Sequence, residues 1–195
     1  MIHSIISSTF QPSSTIKYWT VQSLEAWDAA QRSGFLHGHP EHIMFMKPYH
    51  WMMSQMGQRL PGYDGSYPVW VWPQQPDLQE LHHYTGRQQC VCLTLRLQPE
   101  DVLLSDFEEW HAVLNDTFNA RNHREWQRYR AGYGAITKEQ SWQRIFDTER
   151  PDRQSLTGQT SWRQLQGVTG AVPLEHVVTV EHLNEASARK RYYYV

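Results

Sequence analysis

Three short segments carry side chains whose types and spacing suit the handling of a polar ligand. In Tyr18-Trp19-Thr20-Val21-Gln22, Thr20 and Gln22 stand two residues apart. On a strand they share a face and offer a hydroxyl and a carboxamide side by side; a half-exposed first strand has the same pattern. Ser105-Asp106-Phe107-Glu108-Glu109-Trp110-His111 has the form of a capping box, with Ser105 as the cap and Glu108 reaching back. Asp106 then sits in the first helical turn, as a partner of the helix dipole or as a reactive acid. In Trp162-Arg163-Gln164-Leu165-Gln166-Gly167-Val168, polar side chains interrupt a strand. Gln164 and Gln166 share a face, and Gly167 permits close backbone approach.

Other chemistry finds little support. The chain has no P-loop, GxGxxG, GxSxG or HExxH pattern. His37, His39 and His42, and the His82-His83 pair, lack helical i,i+4 spacing and a matching carboxylate set, so they read as solvated loop histidines and no metal is expected. Cys90 and Cys92 are two apart on one strand face and read as buried thiols. Six acids and no Lys or Arg lie between Gln98 and Asp116, and Arg121, Arg124, Arg128 and Arg130 follow with only Glu125 among them. These runs are two solvated faces, or a basic patch where guanidinium groups grip phosphates.

The elements that must position these groups fit one domain of 195 residues. A net charge of −2 excludes nucleic-acid binding by bulk charge alone, and no apolar run approaches the roughly 20 residues of a membrane span. Two cysteines build neither a disulfide framework nor a four-thiolate zinc site. Residues 1–16 read as a loose polar leader without a signal peptide's pattern, 17–184 as the domain and 185–195 as a tail, which makes a cytoplasmic location the expectation.

A strand is expected at Lys17 to Gln22, then a helix capped by Ser23 and closed at Gly34. A second helix from about Ile43 to Leu60 places Met46, Tyr49, Met53, Met56 and Leu60 on one core-facing stripe. Tyr67 to Pro73 reads as a short strand, 73–88 as a loop and Gln89 to Leu97 as an alternating strand. The box at Ser105 starts a helix that stops near Asn115, and Thr137-Lys138-Glu139-Gln140 starts another carrying Trp142, Ile145 and Phe146. A polar loop at 148–160 precedes closing strands at Trp162 to Thr169 and Val177 to Val180. The order β-α-α-β-β-α-α-β-β predicts an α+β domain with a mixed, mainly antiparallel sheet flanked by helices.

Four blocks carry a resemblance: Tyr18 to Gln22; Tyr67 to Trp72; Leu103 to Phe107 with Trp110-His111 and Leu114-Asn115; and Ser141-Trp142 with Arg144 to Asp147. Together, over about Lys17 to Leu183, they look like an uncharacterised bacterial family labelled a domain of unknown function. More remotely, the polar first strand, the helix ending in Gly, and Arg163-Gln164 ahead of Val172-Pro173-Leu174-Glu175-His176-Val177-Val178-Thr179-Val180 resemble bacterial ADP-ribosyltransferases that target DNA or RNA. That likeness implies a split sheet that clamps NAD as co-substrate. It puts Thr20 at a first-strand NAD contact and Gln166 where those enzymes carry a catalytic Glu. A carboxamide hydrogen-bonds a ribose but is no general base.

The expectation is therefore an NAD-dependent ADP-ribosyltransferase-like toxin or phage-defence effector, acting on a nucleic-acid or protein acceptor and open to neutralisation by an antitoxin protein. Thr20 and Gln22 contact nicotinamide or ribose, Trp51 or Trp70 stacks, Arg144 holds phosphate and Gln166 polarises the ribose. Asp106 or Asp147 supplies the acid, and Arg121, Arg124 and Arg128 hold the acceptor. NAD should lie in a cleft between the first strand and that of Gln166. The competing reading is a non-catalytic module for single-stranded nucleic acid, stacking bases on aromatics and tracking phosphates with the same arginines.

Overall fold

The computed structural model describes residues 14–77, 89–149 and 164–183. The tail, nearly all of the leader, and Trp162 and Arg163 lie outside these residues, as do most of the two expected loops.

Strand β1 (Ile16–Ser23) pairs antiparallel with β4 (Cys90–Leu97), which pairs in turn with β8 (Val177–Leu183). In β4 the branched side chains do the work the alternation predicts: Val91, Leu93, Leu95 and Leu97 are all buried and Arg96 is exposed. A second antiparallel sheet has the order β3-β6-β5, from Val69–Val71, Leu165–Thr169 and Leu103–Asp106. A short pair, β2 (Phe35–Leu36) with β7 (Val172–Pro173), completes the sheets. One bridge, Trp19 to Trp72, joins the two three-stranded sheets, so the described fold is α+β with antiparallel strands.

Helix α1 (Leu24–Ser33) begins and ends where the sequence places its signals. Ser23 Oγ accepts from the Ala26 N–H at 3.1 Å, and Gly34 adopts φ 81°, a left-handed conformation glycine takes without Cβ strain. Helix α2 (Met46–Arg59) starts three residues later than expected. Its stripe is also rotated: Pro48, Met52, Gln55 and Met56 are buried, Met46 is exposed and Met53 only half-buried. Pro48 in the first turn needs no backbone hydrogen bond and helps set the start.

Helix α3 (Phe107–Leu114) corrects a second expectation. Its cap is Asp106, whose Oδ1 accepts from the Glu109 N–H at 2.9 Å; Ser105 belongs to β5. Helix α4 (His123–Arg130) buries no residue and lies outside the helices expected from the sequence, having no apolar stripe. Its sequence signal is Asn122, which caps the Glu125 N–H at 2.9 Å. Helix α5 (Lys138–Trp142) has the expected capping box of Thr137 and Gln140 and continues as a 3-10 turn through Phe146.

Two apolar clusters flank the β3-β6-β5 sheet. One holds Tyr18, Trp27, Leu36, Val69, Val71 and the β4 leucines. The other holds Met52, Met56, Trp110, Val113, Trp142, Ile145 and Val168 on the helical side. Gly167 faces the first: a Cβ there would come within 2.6 Å of Val102 Cγ1, so only glycine lets β6 lie so close. Its neighbour Gln166 therefore faces the helices.

Candidate functional site

The register brings four side chains into one row across the joined sheets. Ser105 pairs with Gln166, Val71 pairs with Gly167, and Trp19 bridges Trp72. One step beyond Val71, Trp72 stands opposite Gln166. Cross-strand partners point to the same face, which gives the row Trp19, Trp72, Gln166, Ser105. The next row on this face holds Trp70, Val168 and Leu103. Phe107, at the start of α3, closes over Trp72 with ring centroids 5.4 Å apart and meets the exposed His111 edge-on at 4.9 Å.

Within this aromatic setting, buried polar atoms lack partners. Gln166 is 4% exposed and Ser105 0%; Gln166 Nε2 and Ser105 Oγ make no hydrogen bond. Gln55 Oε1 from α2 is also unpaired, and Trp70 Nε1 has no well-formed hydrogen bond. Burial raises the pKa of Tyr49, while its contact with the Trp70 indole lowers it. Buried orphans of this kind each cost about 1–3 kcal/mol, and native proteins hold few. The arrangement holds an amide N–H and a hydroxyl without partners on a strand face that also carries flat rings.

The sequence-based site is only partly assembled. Thr20 and Gln22 lie on the opposite face from the row, because Thr20 neighbours Trp19 on β1. Thr20 is 1% exposed and its Oγ1 accepts from Gln22 Nε2 at 2.8 Å, so this pair satisfies itself beside the first core. The expected cleft between Thr20 and Gln166 is not formed: the side chains point apart. Trp70 does lie on the Gln166 face, packed on Trp110 at 5.0 Å. Trp51 sits among the helices, stacked on Phe146 at 5.8 Å and edge-on to Trp142 at 5.5 Å. Trp19 and Trp72 carry no local signal of row membership in the sequence; it follows only from strand parity once the pairing with Gln166 is set.

Arg144 is committed to a partner. Its guanidinium donates to Glu125 Oε2 at 2.9 Å and Oε1 at 2.7 Å, and to the Asn119 carbonyl at 2.6 Å. Asn119 also donates from Nδ2 to the buried Glu109 Oε2 at 2.9 Å, and Ser141 Oγ accepts from its N–H. This network pins the 117–119 loop to α3 and α5 and accounts for Arg144 without phosphate. Asp106 caps α3 and, next to Ser105 on β5, points to the face opposite the row. Asp147 follows the 3-10 turn that ends at Phe146, outside the strands that carry the row.

Arg121, Arg124 and Arg128 are exposed on and before α4, and their guanidinium groups form no ion pair among the described residues. Glu125, the acid beside them, is engaged by Arg144 and by the Arg121 N–H. Both cysteines are buried and unbridged, and burial together with the Glu181 charge pushes the Cys92 thiol up to about 11. Among the described residues no His, Cys, Asp or Glu cluster could hold a metal ion, and no helix is long and apolar enough to cross a membrane.

Residues 17–138, more than half of the chain, match the family model of a domain of unknown function, DUF3841, and the chain belongs to that family. The matched stretch covers β1 through the α4 surface and stops before β6, so Gln166 lies beyond it. Neither the curated proteins nor the solved structures contain a match to this chain.

Proposed function

We propose that this chain is an NAD-dependent ADP-ribosyltransferase-like protein whose dinucleotide lies over the Trp19, Trp72, Gln166, Ser105 row. The observation that carries the reading is the pair of unpartnered buried donors, Gln166 Nε2 and Ser105 Oγ, beneath aromatic rings at the junction of two antiparallel sheets. A stacked nicotinamide with its carboxamide, or a ribose with its hydroxyls, would meet both needs of that surface. In the reaction the bond from ribose C1′ to nicotinamide nitrogen breaks and its electron pair leaves with nicotinamide. A nucleophile on the acceptor forms the new bond to C1′ and gives up its proton. Gln166 holds the ribose in place, and the proton released by the acceptor passes to solvent water. A toxin or phage-defence effector acting in the cytoplasm, held in check by an antitoxin protein, is the setting that fits this activity.

The test is incubation with NAD labelled on its adenylate, together with RNA, DNA and lysate protein. Label on an acceptor with wild-type protein, and none with Gln166→Leu, supports the reading. No label on any acceptor overturns the enzymatic part. A second reading has its own observation: the exposed guanidinium groups of Arg121, Arg124 and Arg128 suit a module that binds single-stranded nucleic acid without chemistry. Binding that weakens steeply with salt and persists in Gln166→Leu, with no label transfer, would favour it.

A further inference from the structure

The described residues hold a cleft that none of the residues above explains. It has a volume of about 180 Å³ and lies where the 62–64 turn, the start of β5's approach and the β6–β7 turn converge. Its floor is apolar, from Leu60, Leu97 and Val172, all at most 8% exposed. Its polar groups are Asp64, Asp101, Thr169 and His176. Thr169 and Gln166, three apart on β6, face opposite sides of the sheet, so this cleft is separate from the aromatic row.

The walls are built to a defined shape. Asp64 Oδ1 accepts from the Ser66 N–H at 2.9 Å, and Ser66 Oγ accepts from the Ala171 N–H at 2.9 Å. The turn is thus laced onto the β6–β7 connection. Gly170 lies so close that a Cβ there would come within 3.1 Å of Asp64 Oδ1. Tyr63 is fixed by donating its hydroxyl to the Ser66 carbonyl at 2.5 Å. Burial and the neighbouring Asp64 charge push that phenol up to about 12, while the Ser66 hydrogen bonds hold the Asp64 carboxyl below its ordinary value.

Three features single out the ligand. Asp64 and Asp101 form no ion pair with a Lys or Arg among the described residues. Thr169 is 5% exposed, lines the cleft, and makes no side-chain hydrogen bond among the described residues. His176 Nδ1 is buried with no partner. Two exposed carboxylates, a buried hydroxyl, an unpartnered nitrogen of the half-exposed His176, whose Nε2 lies 4.0 Å from Glu175 Oε1, and an apolar floor line the cleft, and together they ask for a cation that donates hydrogen bonds and carries a short alkyl stem. The volume is close to the roughly 150 Å³ of an engineered cavity that takes one benzene, the size of one long side chain's end. The geometry points to a binding site for an alkyl ammonium or alkyl guanidinium group in this cleft, whether that group belongs to a Lys or Arg side chain of a peptide or to a free polyamine.

The test is calorimetric titration of the full chain with n-butylamine and N-butylguanidine, beside butyrate and 1-butanol. The two cations should bind saturably and more weakly at higher salt, and the anion and the alcohol should not. Asp101→Asn and Thr169→Val should each weaken the cations about tenfold, the loss expected for one hydrogen bond to a charged group. Both keep side-chain volume, and an unchanged melting temperature certifies the fold. Tighter binding of spermidine than of an acetylated arginine amide assigns the site to polyamines, and the reverse assigns it to peptides; either supports the site. Equal response to butanol or butyrate, or cation binding untouched by both substitutions in folded protein, overturns it. Neither result depends on NAD.

Discussion

The two sides of the β3-β6-β5 sheet differ in how completely they are satisfied. On one side, Val69 and Val71 meet Tyr18, Trp27 and the β4 side chains in an apolar cluster, the polar Thr20 beside it is bonded to Gln22, and the unpartnered groups, Thr169 and His176, sit in the cleft at its margin. On the other, an apolar cluster just as buried shares its space with Gln55, Ser105 and Gln166, each with an unpaired buried atom. The same strands serve both faces, so strand formation does not explain the contrast. A face that exists only to hold the fold together can be apolar throughout. One that keeps unpaired donors gives up stability for something else, and binding is the physical use such donors have.

This difference can be broken by substitution. Leu93→Ala, on the satisfied side and 0% exposed, should cost about 2–5 kcal/mol by the transfer and cavity terms, read by urea denaturation.

Arg144→Met tests the polar network behind the helical layer. Its side chain is 10% exposed and that of Glu125 30%, so the loss should be about 1–3 kcal/mol, below that of a fully buried pair. Burial alone would raise the Glu125 pKa, but the Arg144 and Arg121 hydrogen bonds outweigh it and the carboxyl is held below its ordinary value. A depressed folded pKa gives stability that is complete above the unfolded value, about 4.3, and lost as pH falls through the folded value. Wild-type and Arg144→Met melting temperatures should therefore differ at neutral pH and converge on acidification below about pH 4.

The smallest effect should come from Ser105→Ala. Had Ser105 been the helix cap, the change would cost about 0.5–2 kcal/mol. With Asp106 as the cap and the Ser105 hydroxyl unpartnered, the melting temperature should stay level or rise, since an orphaned hydroxyl is removed.

Where the sequence was legible, the signal was local. Ser23, Gly34 and the Thr137 box act within one helical turn of themselves, and each does what its chemistry dictates. The alternation in β4 was plain because one face of it is almost wholly apolar. The Ser105 misreading came from two overlapping caps, Ser105 with Glu108 and Asp106 with Glu109; only the pairing of Ser105 with Gln166 decides between them. Helix α4 escaped notice because a helix with no buried face has no periodicity to read. The site suffered most. Gln166 and one ring, Trp51 or Trp70, are drawn into one site by the sequence, and of the two rings Trp70 shares the Gln166 face; Thr20 is joined to them across a register that depends on a single long-range bridge, Trp19 to Trp72. A shift of one residue turns every side chain of a strand to the other face.

The direct test uses that parity. NAD is titrated into wild-type protein, Gln166→Leu and Thr20→Val, with heat or intrinsic tryptophan fluorescence as the readout. The account predicts saturable binding to wild type, with quenching of the tryptophans that line the row. Binding should weaken by about tenfold or more in Gln166→Leu, which loses a ligand hydrogen bond and leaves its partner unmet. Thr20→Val should bind as wild type does, since its side chain faces the other core. Loss of binding in folded Thr20→Val with retention in Gln166→Leu would contradict the account and move the site to the opposite face of the sheet.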